Sequence, residues 1–183
     1  MPSSDPVTIP KVLQLVQTLS PKSILDIGTG NGRYGFLFRE ILDFNYGRFS
    51  NWEIRIDGVE VEKDYISPVH RYVYDNLYIG DWLNLEIDFL YDVVFMGDVL
   101  EHFKEWNRAL MKARRIGKTT IIVCPNWSGS IQQGEWEGYS HEAHQVELSP
   151  SIVGGRCLFA NSKCFMSVFG DRESVTEGRD ILI

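Results

Sequence analysis

The sequence predicts an α/β chain: a doubly wound, mostly parallel seven-stranded sheet with an antiparallel last strand and a shortened C-terminal part. Three observations predict it. Apolar runs of strand length alternate with segments of helical periodicity over 10–125, the pattern of βαβ units. The run Ser23-Ile24-Leu25-Asp26-Ile27 ends in three alternating glycines, Gly28, Gly30 and Gly32, with a helix-like stretch beyond. Late in the chain, 156–160 and 165–169 flank Asn161-Ser162-Lys163 as an antiparallel pair would.

The elements follow in order. Val12, Leu13, Leu15, Val16 and Leu19 are spaced for a helix over 10–19, stopped by Pro21. Strand one is 23–27. The next helix carries Tyr34, Phe36, Leu37, Phe38, Ile41 and Leu42, and Asn45-Tyr46-Gly47 breaks it. Strand two is 54–60. Ser67-Pro68 opens a helix, with a cap residue before a first-turn proline, predicted to run to about 76. A short third strand covers 77–80. The run 91–96 is apolar except for Asp92, as a central parallel strand requires. A helix over 103–116 and a strand over 119–124, ended by Pro125, complete the alternation. Residues 126–148 hold Gly129, Gly134, Gly138, Trp127, Trp136, Tyr139, His141 and His144. A structureless stretch this long in a compact domain is usually functional or mobile. Ser149-Pro150 opens a single helical turn, and the last ten or so residues carry no assignment.

One domain is expected from 183 residues. It divides into an N-terminal helix or lid (1–22), a ligand-binding core (23–125), a substrate loop (126–148), and closing strands with a tail (149–183). Hydrophobic residues make up 44% and charged residues 23%, which excludes a disordered chain. The net charge of −7 counts against a nucleic-acid or anionic membrane surface. The densest basic stretch, Lys112, Arg114, Arg115 and Lys118, reads as a solvated helix face. Cys124, Cys157 and Cys164 lack metal-type pairing and read as buried free thiols in a reducing cytoplasm. The N-terminus lacks a signal-peptide layout, and no apolar run approaches the ~20 residues of a membrane span. A cytoplasmic monomer or homodimer is expected.

The glycine turn places a small molecule at the end of strand one. Glycine lets the backbone approach a ligand, and a helix start offers unpaired N–H groups. The order Gly28-x-Gly30-x-Gly32, with Arg33 next, departs from the G-x-G-x-x-G dinucleotide fingerprint. Asp26-x-Gly28-x-Gly30-x-Gly32 resembles the first motif of class I S-adenosylmethionine-dependent methyltransferases. Glu60, at the tip of strand two, can accept from ribose hydroxyls. Ile79-Gly80-Asp81-Trp82 ends strand three, and Met96-Gly97-Asp98-Val99-Leu100-Glu101-His102 ends strand four. The last resembles the fourth motif of many small methyltransferases, and the resemblance runs in order over 23–125.

The resemblance implies the Rossmann-like methyltransferase fold and S-adenosylmethionine as methyl donor. It assigns Asp26, Gly28, Thr29, Gly30, Gly32, Glu60, Val61, Asp81, Trp82 and Gly97 to the donor. Asp26 would orient the methionyl ammonium through water. Asp81 would accept from the adenine amine, with Trp82 on the adenine face; a helix cap and a core aromatic are the structural alternatives. Gly97 would let the backbone approach the methionyl tail. Asp98, Glu101, His102 and His144 are the candidate catalytic set, with His102 suited to a general base or to a structural helix start. The same four resemble a pattern of the metal-dependent small-RNA 2′-O-methyltransferases and of some quinone-precursor methyltransferases. Asp in the first position, the acidic chain and the lack of an RNA-binding domain count against a metal.

The expected activity is methyl transfer to oxygen or nitrogen of a small molecule, since little chain remains for target recognition. The asparagine-proline-proline-aromatic signature of DNA amino-methylating enzymes is absent after strand four. The alternative is a non-catalytic donor-binding regulatory module. A metal-dependent RNA 2′-O-methyltransferase and an NAD-dependent oxidoreductase rank behind both.

Overall fold

A computed structural model of the protein describes residues 6–126 and 143–170. The substrate-loop residues 127–142, His141 among them, and the tail 171–183 lie outside the described residues. The elements are α1 (Ile9–Leu19), β1 (Ser23–Ile27), α2 (Arg33–Leu42), β2 (Arg55–Glu60), α3 (Pro68–Val73), β3 (Asn76–Ile79), β4 (Tyr91–Gly97), α4 (Trp106–Ile116), β5 (Gly117–Pro125), α5 (Pro150–Val153), β6 (Arg156–Ala160) and β7 (Cys164–Gly170). The seven strands form one sheet in the order β3-β2-β1-β4-β5-β7-β6. Strands β1 to β5 pair in parallel. Strand β7 runs antiparallel to both neighbours.

Two helices are shorter than their periodicity predicts. α3 ends at Val73 rather than near 76, because Tyr74 is extended. Asp75 then bonds β2, its N–H donating to Ile56 and its carboxylate accepting the Ile56 N–H. α4 starts at Trp106, because Leu100–His102 form a separate 3-10 turn and Phe103 is extended.

All five residues of β1 are buried, so each face of the sheet carries its own core. One face packs Ile24, Ile56 and Phe95 against Val12 and Val16 of α1 and Phe38 of α2. The other packs Leu25, Val94 and Ile122 against Leu110 of α4 and Trp82. The inner face of α1 is thus committed to the core: Val12 and Val16 are both 0% exposed.

The buried Arg39 ties α2 to its neighbours. Its guanidinium donates to Asp43 at 2.9 Å, Asp75 at 2.7 Å and the Val73 carbonyl at 2.8 Å, and also to the Ile54 carbonyl. Two surface expectations need correction. Cys157 is exposed, on the edge strand β6, while Cys124 and Cys164 are buried. Lys112 is half-buried and donates to the carbonyls of Trp82 and Leu85, whereas Arg114, Arg115 and Lys118 are exposed. Among the described residues no helix is long and apolar enough to cross a membrane.

Candidate active site

The strand order reverses direction between β1 and β4. In open α/β sheets ligands bind outside the carboxyl ends of the strands at such a switch point. The turn after β1 and the segment after β4 both lie there.

The turn takes its shape from three glycines with positive φ: Gly28 (78°), Gly30 (53°) and Gly32 (78°). At Gly28 packing adds to backbone strain, since a Cβ would lie 2.5 Å from Val99 Cγ2. Glu60 holds the turn from β2. Its Oε2 accepts the Gly30 N–H at 2.7 Å and the Thr29 hydroxyl at 3.3 Å. Its Oε1 accepts the N–H groups of Val61 and Glu62, each at 2.9 Å. Burial raises the Glu60 pKa, and these donors oppose the rise. Glu62 is half-buried, and its carboxylate accepts the Asp64 N–H.

Asp26 lies beneath the turn, 1% exposed, and accepts a 2.6 Å hydrogen bond from Tyr74. Burial pushes its pKa up to about 7; the Tyr74 bond opposes the shift and the Glu60 charge adds to it. Burial, and then the Asp26 charge, raise the Tyr74 phenol well above its usual range. The proton therefore stays on the phenol.

The structure separates the remaining donor candidates. Asp81 is half-buried, accepting from the Leu83 N–H and the Asn84 side chain, each at 2.9 Å. Trp82 is the core aromatic: it is 2% exposed and its indole N–H donates to the Ala109 carbonyl. No ring face remains for adenine. Gly97 is half-buried at the end of β4; a Cβ there would lie 2.6 Å from the Phe95 ring and 3.2 Å from Tyr34, so core packing gives a second reason for the glycine.

After β4 the backbone of Asp98 adopts φ 47°, uncommon for a residue with a Cβ, and its N–H donates to Val123. The Leu100–His102 turn then presents Glu101 and His102 to the segment 143–146. The Glu101 carbonyl accepts the Gln145 N–H at 2.8 Å and the Val146 N–H at 3.3 Å. These bonds bring His144 back to the turn. The His102 and His144 rings stand edge to face, 5.0 Å between centroids. Their Nε2 atoms lie 3.9 and 4.0 Å from Glu101 Oε1. One ligand atom from each of Glu101, His102 and His144 falls within 4.8 Å of the others. Asp98 is outside that group, so three of the four expected residues converge.

Sequence reasoning missed His70 and Tyr74. Both lie on or just after α3: His70 reaches the glycine turn, and Tyr74 reaches the Asp26 carboxylate that precedes it. The available signal was His70 itself, three residues after the cap Ser67, where a capping box usually has Glu or Gln.

No protein-family profile matches this sequence, and no curated protein matches it. Solved structures do. The N-terminal domain of EvdMO1 with S-adenosylhomocysteine bound is 16% identical, with a TM-score of 0.60, covering 91% of this chain and 80% of that one. The methyltransferase domain of bacterial CtHen1 is 17% identical at a TM-score of 0.58, covering 88% and 96%. The plantazolicin methyltransferase BpumL in complex with S-adenosylhomocysteine is 20% identical at 0.56, covering 81% and 62%. At such identities the likeness shows the fold: this chain has the Rossmann-like methyltransferase fold.

Proposed function

We propose that this chain is an S-adenosylmethionine-dependent methyltransferase acting on oxygen or nitrogen of a small molecule. The observation that carries the reading is the grip of Glu60 on the Gly28–Gly32 turn at the switch point. Two of the similar structures, the EvdMO1 domain and BpumL, hold S-adenosylhomocysteine, which supports the same ligand class here.

The residues fit that donor. The 3.3 Å bond from Thr29 is the weakest of the four at Glu60, and a ribose hydroxyl replaces it most readily. Asp81 keeps acceptor capacity on both oxygens for an exocyclic amine. Asp26 faces the methionyl ammonium through water. Val61 serves with its backbone, and Gly28, Gly30 and Gly32 keep the turn close. Bound S-adenosylmethionine supplies an electrophilic methyl group on a sulfonium. Transfer is an in-line displacement, so the protein's task is to align the acceptor and remove its proton. His102, half-buried beside Glu101 and His144, is the base in this reading, and the Ala143 carbonyl 3.2 Å from its Nδ1 orients the ring.

A second reading is favoured by the convergence of Glu101, His102 and His144. Two imidazoles and a carboxylate suit a divalent transition metal. Such an ion lowers the pKa of a bound acceptor hydroxyl.

Thermal unfolding tests both readings, with S-adenosylmethionine, S-adenosylhomocysteine and NAD in parallel, each with and without EDTA. A ligand at 100 times its Kd adds about 2.7 kcal/mol, several degrees for a domain of this size. Shifts with the two sulfur compounds and none with NAD are expected. No shift with either sulfur compound overturns the methyltransferase reading. The metal reading adds an EDTA-sensitive shift that Glu101→Gln removes.

A further inference from the structure

The brace on the glycine turn has a second half that no donor-binding role explains. His70 is 0% exposed and sits in α3, outside the turn. Its Nδ1 lies 3.2 Å from the Ser67 N–H. A backbone N–H can only donate, so Nδ1 accepts and the ring proton resides on Nε2. That proton points to the Gly30 carbonyl at 2.9 Å, with the Thr29 hydroxyl at 3.2 Å. Burial lowers the His70 pKa, which keeps the ring in this neutral form. Gly30 is therefore held on both sides: Glu60 takes its N–H and His70 binds its carbonyl. Gly32 is backed by the same helix, since a Cβ there would meet Val69 at 3.1 Å and His70 at 3.5 Å.

We infer that His70 is a positioning residue for the donor site: it fixes the Gly28–Gly32 turn, and through it the Glu60 carboxylate, without touching the ligand. The inference rests on the proposed donor reading. A glycine-rich turn loses more conformational freedom on ordering than any other segment. A turn ordered beforehand does not lose that freedom when ligand arrives, and affinity gains accordingly.

Two substitutions separate the ring's two jobs. In His70→Gln the side-chain Nε2 takes the place of the ring Nε2 and keeps a donor toward Gly30. In His70→Asn the side-chain oxygen takes the place of Nδ1 and keeps an acceptor for the Ser67 N–H, but nothing reaches Gly30. The readouts are the S-adenosylhomocysteine Kd by calorimetry and Tm. His70→Asn is expected to weaken binding about tenfold, the size of one lost hydrogen bond, with Tm nearer wild type. His70→Gln is expected to bind within about threefold of wild type while losing more Tm through the cap. An affinity that tracks Tm in both variants makes His70 merely structural and overturns the inference. If wild type itself takes up no S-adenosylhomocysteine, the donor reading falls and takes this inference with it. Should a variant fail to fold, wild type labelled with ¹⁵N-histidine serves. The protein has 4 histidines, and the Nε2–H signal of His70 should exchange more slowly with ligand; unchanged exchange overturns the inference.

Discussion

Asp26 carries the clearest consequence of a single side chain. Its pKa is raised from an ordinary 3.8 to about 7, by burial first. Below pH 3.8 the group is protonated both folded and unfolded and contributes no pH dependence. Between 3.8 and 7 the folded state holds a proton that the unfolded state has released, so stability falls as pH rises. Above 7 the whole penalty is present, about 4 kcal/mol for a three-unit shift. Asp26→Asn keeps an oxygen for the Tyr74 hydroxyl and carries no charge. Urea unfolding at several pH values should show the variant gaining on wild type from pH 4 to 7 by up to that amount. Parallel curves for the two proteins would refute the buried carboxyl as the source. The donor reading adds a second expectation. A bound ammonium favours ionised Asp26, so S-adenosylhomocysteine should bind more tightly at pH 8 than at pH 6 in wild type, and equally in Asp26→Asn. Asp26 and Glu60 were legible in sequence because strand ends place them. Trp82 was misread because the same local pattern serves a ligand or a core, and only packing decides.

At the scale of elements, periodicity placed every strand to within two residues, since an apolar run in a parallel sheet is buried along its length. Helix limits were less legible. α3 yields to β3 because Asp75 bonds Ile56 and Arg39, partners 19 and 36 residues away that no local pattern announces. The same long-range packing decides what α1 does. Its spacing permits a lid or a core helix, and the burial of Val12 and Val16 selects the core. Val16→Ala should therefore cost about 1–3 kcal/mol in chemical denaturation, by cavity and transfer terms together. Its S-adenosylhomocysteine Kd should stay within about twofold, below the ~0.5 kcal/mol that such a ratio represents. A lid predicts the reverse, an affinity lost with stability kept.

At the scale of the whole molecule, the sheet order sets the place of the switch point and the charge distribution bears on the proposed acceptor. The switch point between β1 and β4 was implied by the order of motifs along the chain. The approach of His144 to Glu101 followed only from the resemblance that grouped them, because the stretch 126–148 has no periodic signal to fix it. A polyanionic acceptor would need cations to meet its phosphates. The chain carries a net −7, and several of its described cations are matched internally. Arg39 pairs with Asp43 and Asp75, Arg48 with Asp43 and Glu53, Arg55 with Asp57, and Lys118 with Asp92. Each such pair removes one charge from any phosphate-facing surface. A labelled single-stranded RNA, titrated by fluorescence anisotropy at about 50 mM salt, where counterion release is strongest, should show no saturable binding at micromolar protein. Saturable binding that weakens steeply with added salt would transfer the acceptor from a small molecule to RNA. The donor assignment would stand in either case, because Glu60 and the glycine turn are built without reference to the acceptor.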